Sequence, residues 1–163
     1  MNHIWSPWRM DYIMNHDRAV ECVFCRAARQ KAGPENLVVY RAQESFVILN
    51  RYPYTSGHVM VVPFVHVASL DELSNQARAE MMELAAQSVT LLREAYQPQG
   101  FNIGVNMGEA AGAGIADHIH LHVVPRWMGD TNFMSSVGQT RVLPGSIDES
   151  YQRIRQEWEK MCK

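Results

Sequence analysis

The chain has few of the features that mark secreted or membrane proteins. Its 163 residues include three cysteines, Cys22, Cys25 and Cys162, too few for a scaffold built on several disulfides. No apolar run approaches the roughly 18 residues of a membrane span, and residues 1–16 lack the apolar core of a signal peptide. We therefore expect a cytoplasmic protein with reduced thiols and no membrane partner.

An excess of one charge is also missing. The formal net charge is -2 at pH 7, so the chain has no global basic field to attract nucleic acid. The composition, 47% hydrophobic and 20% charged, is that of a globular protein, and the length fits one domain. We expect a single domain over residues 1–163, with an N-terminal arm at 1–21 and a C-terminal tail and helix at 128–163. Any anionic ligand must then be bound by local groups.

Hydrophobic patterns predict five short strands and two helices. The strand segments are residues 37–40, 46–50, 58–63, 101–106 and 118–124. Apolar residues at spacings of three and four predict a long helix over residues 71–96, and Ser146 with Glu149 has the capping-box pattern of a last helix ending near Lys160. Short links between successive strands favour an α+β fold with a mostly antiparallel five-stranded sheet.

Three histidines, His118, His120 and His122, occupy alternate positions of the segment HIHLH. In a strand they share one face, with neighbours about 6–7 Å apart, and such a row can span a phosphate ester. The alternatives are a structural row of buried histidines and a metal site, because two histidines at this spacing can present nitrogens to Zn²⁺. The three histidines alone do not decide between these interpretations.

Cys22 and Cys25 form a CxxC motif near the N-terminus. This motif occurs in redox sites and in half-sites for zinc, and a pair of buried free thiols is a third interpretation. A thioredoxin-like redox motif follows a strand, and no strand pattern precedes Cys22. Two thiolates would need two further ligands to close a tetrahedral zinc shell; outside the histidine row the candidates are His3, His16, His58 and His66.

The segment HIHLHVV matches the pattern His-φ-His-φ-His-φ-φ, where φ is apolar, and resembles the signature of the histidine triad (HIT) superfamily. The stretches NRYPYTSGHVMVVPFVH and NMGEAAGAGIADH resemble the segments that accompany this signature, so the resemblance covers about residues 22–127. The flanks WSPWRMDYI and PRWMGDTNFM are similar to the branch of diadenosine polyphosphate phosphorylases and hydrolases, close to the fragile-histidine-triad proteins.

The resemblance implies an enzyme that cleaves dinucleoside polyphosphates at the α-phosphorus. His120 would be the nucleophile and form a covalent nucleotidyl-histidine, with its other ring nitrogen bound by a main-chain carbonyl beside His118. His122 and His58 would place donors around the α-phosphate. Inorganic phosphate is the favoured acceptor over water. The alternatives are a purine nucleoside phosphoramidase and a nucleotide-binding HIT protein without turnover; a zinc-dependent scaffold is disfavoured by the charge balance.

The same resemblance implies a nucleotide-binding set: Asn50 for the ribose, Asn106 and the backbone amides of Gly112 and Gly114 for the polyphosphate, and Trp127 for the adenine. Trp127 and Phe133 could equally pack in a dimer or cap the core. Ile115 stands where many relatives carry Ser or Thr, which can donate a proton toward the leaving group. Ile115 cannot, and this favours a polyphosphate leaving group over an amine.

The resemblance also implies a structural zinc ion bound by Cys22, Cys25, His66 and His118, a closed shell without an open coordination position. It further implies a homodimer in which the long helix and the strand near Phe101 meet their symmetry mates. An exposed sheet edge and an apolar-rich helix both need cover, which supports this expectation.

Overall fold

The structure is a computed structural model that describes residues 21–131 and 145–161. Within these residues the strands are β1 (Val38–Arg41), β2 (Ser45–Leu49), β3 (Val59–Pro63), β4 (Gly100–Val105) and β5 (Leu121–Arg126). The α-helices are α1 (Val23–Arg29), α2 (Asn75–Tyr96) and α3 (Ile147–Met161), and short 3-10 turns lie at Leu70–Glu72 and Glu109–Ala111.

The five strands form one antiparallel sheet in the order β1-β2-β3-β5-β4. Every residue of β2 and β3 is buried, which is why their sequences show apolar runs rather than alternation. Strand β4 lies at an edge, with exposed or half-buried residues throughout. The predicted α+β fold, with a five-stranded antiparallel sheet, a long helix and a C-terminal helix, is confirmed.

Helix α2 covers the sheet with a stripe of buried residues that includes Met81, Leu84 and Leu92. It begins at Asn75 rather than at the predicted residue 71. Ser74 is the cap residue, and its hydroxyl accepts a hydrogen bond from the Ala77 N–H at 3.0 Å. No described helix combines the length and apolarity needed to cross a bilayer.

Helix α3 begins with the predicted capping box. The Ser146 N–H donates to the Glu149 carboxylate at 2.9 Å, and the Glu149 N–H donates to the Ser146 hydroxyl at 3.1 Å. The helix buries Trp158 against Tyr40 of β1, with the ring centroids 4.7 Å apart. This packing attaches the C-terminal part of the chain to the edge of the sheet opposite β4.

The strand predicted over residues 118–124 begins only at Leu121. Extending the β3–β5 register would place Ile119 opposite Pro63, which has no N–H to donate. The Pro63 carbonyl accepts from Nε2 of His118 at 2.9 Å, and the Ile119 N–H donates to the Val67 carbonyl at 2.7 Å, so the β3–β5 pairing does not continue. His118, at a bend, and His120 therefore lie in the segment that leads into β5, and only His122 lies within the paired strand.

Candidate active site and metal centre

His120 is buried, with 4% of its surface exposed, and one hydrogen bond determines which of its ring nitrogens carries the hydrogen. Its Nδ1 atom lies 2.9 Å from the main-chain oxygen of His118. A carbonyl can only accept, so Nδ1 carries the hydrogen and Nε2 keeps a free lone pair when the ring is neutral. Burial lowers the pKa of His120, which favours the neutral form. The acceptor predicted beside His118 is present.

His58 and His122 form a second hydrogen-bonded pair. The Tyr54 N–H donates to Nδ1 of His58 at 3.1 Å, so a neutral His58 carries its hydrogen on Nε2. That atom lies 2.9 Å from Nδ1 of His122. His122 then accepts at Nδ1 and carries its own hydrogen on Nε2, which makes it a donor. Burial, with the nearby His120 ring, lowers the pKa of His122 to about 4.

The chain brings these histidines together through sheet register and one glycine. His58 directly precedes β3, and His122 pairs with Met60 of β3, so both side chains lie on one face of the sheet. Gly57, with φ of +80°, lies against α2; a Cβ atom there would come within 2.9 Å of the Tyr96 ring. Only glycine fits this turn, which places His58 at the start of its strand.

Asn50 belongs to the same cluster, one residue after β2. Its side-chain oxygen accepts the Tyr52 N–H at 2.9 Å, and its amide nitrogen lies 3.3 Å from Nδ1 of His58. Asn106 follows β4, and continuing the β4–β5 register places it opposite His120. Both predicted nucleotide-binding residues thus lie at the histidine end of the sheet.

Four candidate metal ligands converge beside the histidine row. The ligand atoms of Cys22, Cys25, His66 and His118 all lie within 4.8 Å of one another. Nδ1 of His118 is 3.4 Å from the Cys22 sulfur and 3.6 Å from the Cys25 sulfur, and Nδ1 of His66 is 3.2 Å from the Cys25 sulfur. Zn–S bonds of about 2.3 Å and Zn–N bonds of about 2.0 Å give a tetrahedral S–N edge of roughly 3.6 Å. The four donors therefore fit a zinc ion.

A hydrogen bond prepares His118 for such a role. Its Nε2 lies 2.9 Å from the Pro63 carbonyl and must donate to it, which leaves Nδ1 bare toward the two sulfurs. Burial, followed by the neighbouring Cys22 thiol, raises the pKa of Cys25, and a divalent cation would reverse that effect. Both thiols are free. This clustering favours a metal site over a redox pair or two isolated thiols.

A family model described as the HIT domain matches residues 32–128. A curated relative, AP-4-A phosphorylase of Mycobacterium tuberculosis, is 34% identical across 97% of this chain and 85% of its own length. The chain belongs to the HIT family.

Solved structures agree with this membership. A Zn-bound histidine triad family protein of Mycobacterium smegmatis is 30% identical with a TM-score of 0.71, covering 87% of this chain and 96% of its own. A hypothetical histidine triad nucleotide-binding protein of Sulfolobus tokodaii is 25% identical with a TM-score of 0.68, covering 86% and 93%. The predicted family and the predicted HIT fold are confirmed.

The glycine-rich loop of this HIT protein is closed by hydrogen bonds within the loop. The Gly112 N–H donates to the Glu109 carbonyl at 2.9 Å, and the Ala113 N–H donates to the Gly108 carbonyl at 3.4 Å. These bonds close the 3-10 turn at Glu109–Ala111, and the predicted phosphate contact of the Gly112 amide stays a prediction. Gly114 is exposed, and its predicted phosphate contact stays a prediction.

Trp127 is half-buried directly after β5, and its backbone is fixed by a local ion pair. The Trp127 N–H donates to the Asp130 carboxylate at 3.2 Å, and Asp130 binds Arg126 with contacts of 2.6 and 2.8 Å. This Arg126 partner lowers the pKa of Asp130 to about 2. The Arg126 guanidinium is therefore already paired with the Asp130 carboxylate. Stacking of Trp127 on a base stays a prediction, and Phe133 lies outside the described residues.

Sequence reasoning missed two contributors to the site. The Tyr54 backbone N–H sets the tautomer of His58, and a main-chain group leaves no signal in residue type. Phe24, inside the CVFC segment, packs against the rings of His118 and His120. An apolar residue between two candidate metal-ligating cysteines was the available signal.

Proposed function

We propose that this HIT-family enzyme cleaves dinucleoside polyphosphates such as diadenosine tetraphosphate at the α-phosphorus, through a covalent nucleotidyl-His120. The observation that carries the proposal is the Nδ1–H of His120 donating to the His118 carbonyl at 2.9 Å. This bond leaves the lone pair of Nε2 available for attack in a buried, neutral imidazole. The AP-4-A phosphorylase of M. tuberculosis supports the substrate class.

In the first step Nε2 of His120 attacks the α-phosphorus, and the bond from phosphorus to the bridging oxygen breaks. The electron pair leaves with that oxygen on the polyphosphate. The Nε2–H of His122 donates to the phosphate oxygens as negative charge develops there, while the His118 carbonyl stabilises the positive charge that His120 acquires. The leaving group must be stable as an anion.

Ile115 supports a leaving group of this kind. It is half-buried and packs against the core, and its side chain has no proton to donate to a departing amine. A polyphosphate needs no such proton near neutral pH.

In the second step an oxygen of inorganic phosphate attacks the adenylyl phosphorus, releases His120 and gives ADP.

We further propose that Cys22, Cys25, His66 and His118 hold a structural Zn²⁺. When bound, the ion supplies a rigid cross-link between α1 and the chain around β3 and β5. With four protein ligands in a tetrahedral shell, no position is left for substrate. The Zn-bound relative of M. smegmatis supports this assignment. We also propose a cytoplasmic location, where thiols stay reduced.

The test is turnover of diadenosine tetraphosphate by the purified zinc-loaded protein, with and without inorganic phosphate. We expect ADP and ATP when phosphate is present, and a trapped adenylyl adduct on wild-type protein. His120→Asn should bind nucleotide without turnover or adduct. AMP formed at a rate indifferent to phosphate would show a hydrolase, and faster turnover of an adenosine phosphoramidate would overturn the substrate class. Near wild-type rates in His120→Asn would refute the covalent mechanism.

A further inference from the structure

We propose that Phe24 is a positioning residue for His120 and that it transmits the order of the metal centre to the nucleophile. The inference rests on the proposed role of His120 as nucleophile. Phe24 stands between the two cysteines of the metal centre, yet its ring is directed into the core with 3% of its surface exposed. Its ring contacts include His120, the proposed nucleophile.

Phe24 touches His118 and His120, the two histidines in the segment before β5. Its ring centroid lies 5.0 Å from that of His120, with the planes tilted by 50°, and 5.4 Å from that of His118 in an edge-on arrangement. Both distances are in the range of favourable aromatic contacts. The hydrogen bond to the His118 carbonyl fixes one edge of the His120 imidazole. Phe24 packs against the ring and opposes its rotation about the Cβ–Cγ bond.

The position of Phe24 depends on what holds α1. This helix has seven residues, too few to be stable without tertiary contacts. At its N-terminal end Cys22 and Cys25 lie among the metal ligands. At its C-terminal end the Arg41 guanidinium donates to the carbonyls of Ala28 and Gln30, the latter at 3.1 Å.

His118 also connects the metal centre to His120, independently of Phe24. Its ring nitrogen faces the cysteine sulfurs, and its main-chain oxygen accepts the His120 hydrogen. A closed metal centre therefore fixes His120 twice, through the His118 carbonyl and through the Phe24 ring. Losing Phe24 removes one of these constraints while leaving every metal ligand and every proposed catalytic group in the chain.

The experiment compares Phe24→Ala and Phe24→Leu with Leu84→Ala, a buried truncation on α2 with 2% of Leu84 exposed. We expect Phe24→Ala to lower kcat for adenylyl transfer about 10–100-fold, the range seen when groups that orient a site are removed, with KM little changed. Phe24→Leu, which keeps apolar volume beside the ring, should recover most of that loss. Leu84→Ala should lower the unfolding temperature comparably and keep kcat, because the ring contacts of His120 are with Phe24 and His122 and not with α2.

A second readout does not depend on activity. Long-range ¹H–¹⁵N spectra of the histidine side chains should show His120 as a single Nδ1–H tautomer in the zinc-loaded wild type and as a mixture in Phe24→Ala. Elemental analysis should find equal zinc in both. If Phe24→Ala does not fold, Phe24→Leu and Phe24→Val provide the same comparison at smaller amplitude.

The outcomes separate this inference from the proposed function. Wild-type kcat and an unchanged His120 tautomer in the Phe24 variants would overturn the inference while the enzyme assignment stands. Loss of kcat only in proportion to loss of zinc would also overturn it, since Phe24 would then act on metal retention. A wild-type protein without turnover, in which Phe24→Ala still disorders the His120 ring, would refute the proposed function and support the positioning role.

Discussion

Nε2 of His58 lies 2.9 Å from Nδ1 of His122, although the two residues are 64 positions apart in the sequence. The Tyr54 N–H, the His58 ring and the His122 ring form one directed chain of hydrogen bonds. Each member determines which nitrogen of the next carries the hydrogen. His58 and His122 should therefore behave as a single unit in the reaction.

The first prediction is non-additivity between these two histidines. His122→Ala should lower kcat about 10²–10³-fold, the usual effect of removing one donor to a developing anion. His58→Ala should lower it less, because His122 remains but adopts either tautomer. The double variant should be hardly slower than His122→Ala alone. Steady-state kinetics on the four proteins measures this, and multiplying effects would show that the residues act independently.

The second prediction concerns stability against pH. The pKa of His122 is lowered from 6.5 to about 4 by burial, so the unfolded chain binds its proton at higher pH than the folded chain does. The stabilisation from this group is complete above pH 6.5 and is lost as the pH falls toward about 4, at most about 2 kcal/mol between about pH 7.5 and about pH 5. Denaturant unfolding at both pH values should show a smaller decrease for His122→Asn than for wild type. Equal decreases would contradict the shift.

The third prediction is one Zn²⁺ per chain, measured by elemental analysis. Cys22→Ser should lower the unfolding temperature by about 10 °C, since a closed metal site contributes folding free energy and each kcal/mol moves the midpoint about 2–4 °C in a chain of this size. Cys162→Ser is the matched control and should change neither zinc content nor melting. A metal-free protein with undiminished melting, or a Cys22–Cys25 disulfide, would refute the site.

The fourth prediction is a homodimer that covers the β4 edge. Ile103 on this strand has 47% of its surface exposed. Light scattering at micromolar concentration should give about twice the 18.6 kDa of one chain, and Ile103→Lys should shift the mass toward the monomer. Met161→Lys, a change at a residue on α3 with 40% exposure, should leave the mass unchanged. A monomeric wild type would refute the dimer.

Much of the fold could be predicted from sequence because its signals are local. The stripe of α2 follows helical spacing, and the capping box of Ser146 with Glu149 uses four consecutive residues. The alternation of HIHLH placed three histidines near one another without information on their partners. The family resemblance also named Cys22, Cys25, His66 and His118, the four residues that the structure brings together at the candidate metal site.

The remaining differences arise from contacts between distant parts of the chain. Strand β5 starts at Leu121 because the Ile119 N–H donates to Val67 and the Pro63 carbonyl accepts from the His118 ring, both outside the β3–β5 pairing. Helix α1 is too short to show a helical period, and its carbonyls are bound by Arg41. None of these follows from residue type alone.

The insertion of β5 between β3 and β4 has a consequence for how the site comes into existence. Strands β1, β2 and β3 are successive antiparallel neighbours joined by short loops. Strand β5, in contrast, pairs with β3 only after a loop closure over the 64 positions between His58 and His122. The bond between Cys25 and His118 spans 93 positions. A nascent or partly unfolded chain that lacks the β5 segment in its place holds neither an oriented nucleophile nor a complete metal shell. The proposed attack by His120 and the proposed metal shell therefore both depend on the folded position of β5.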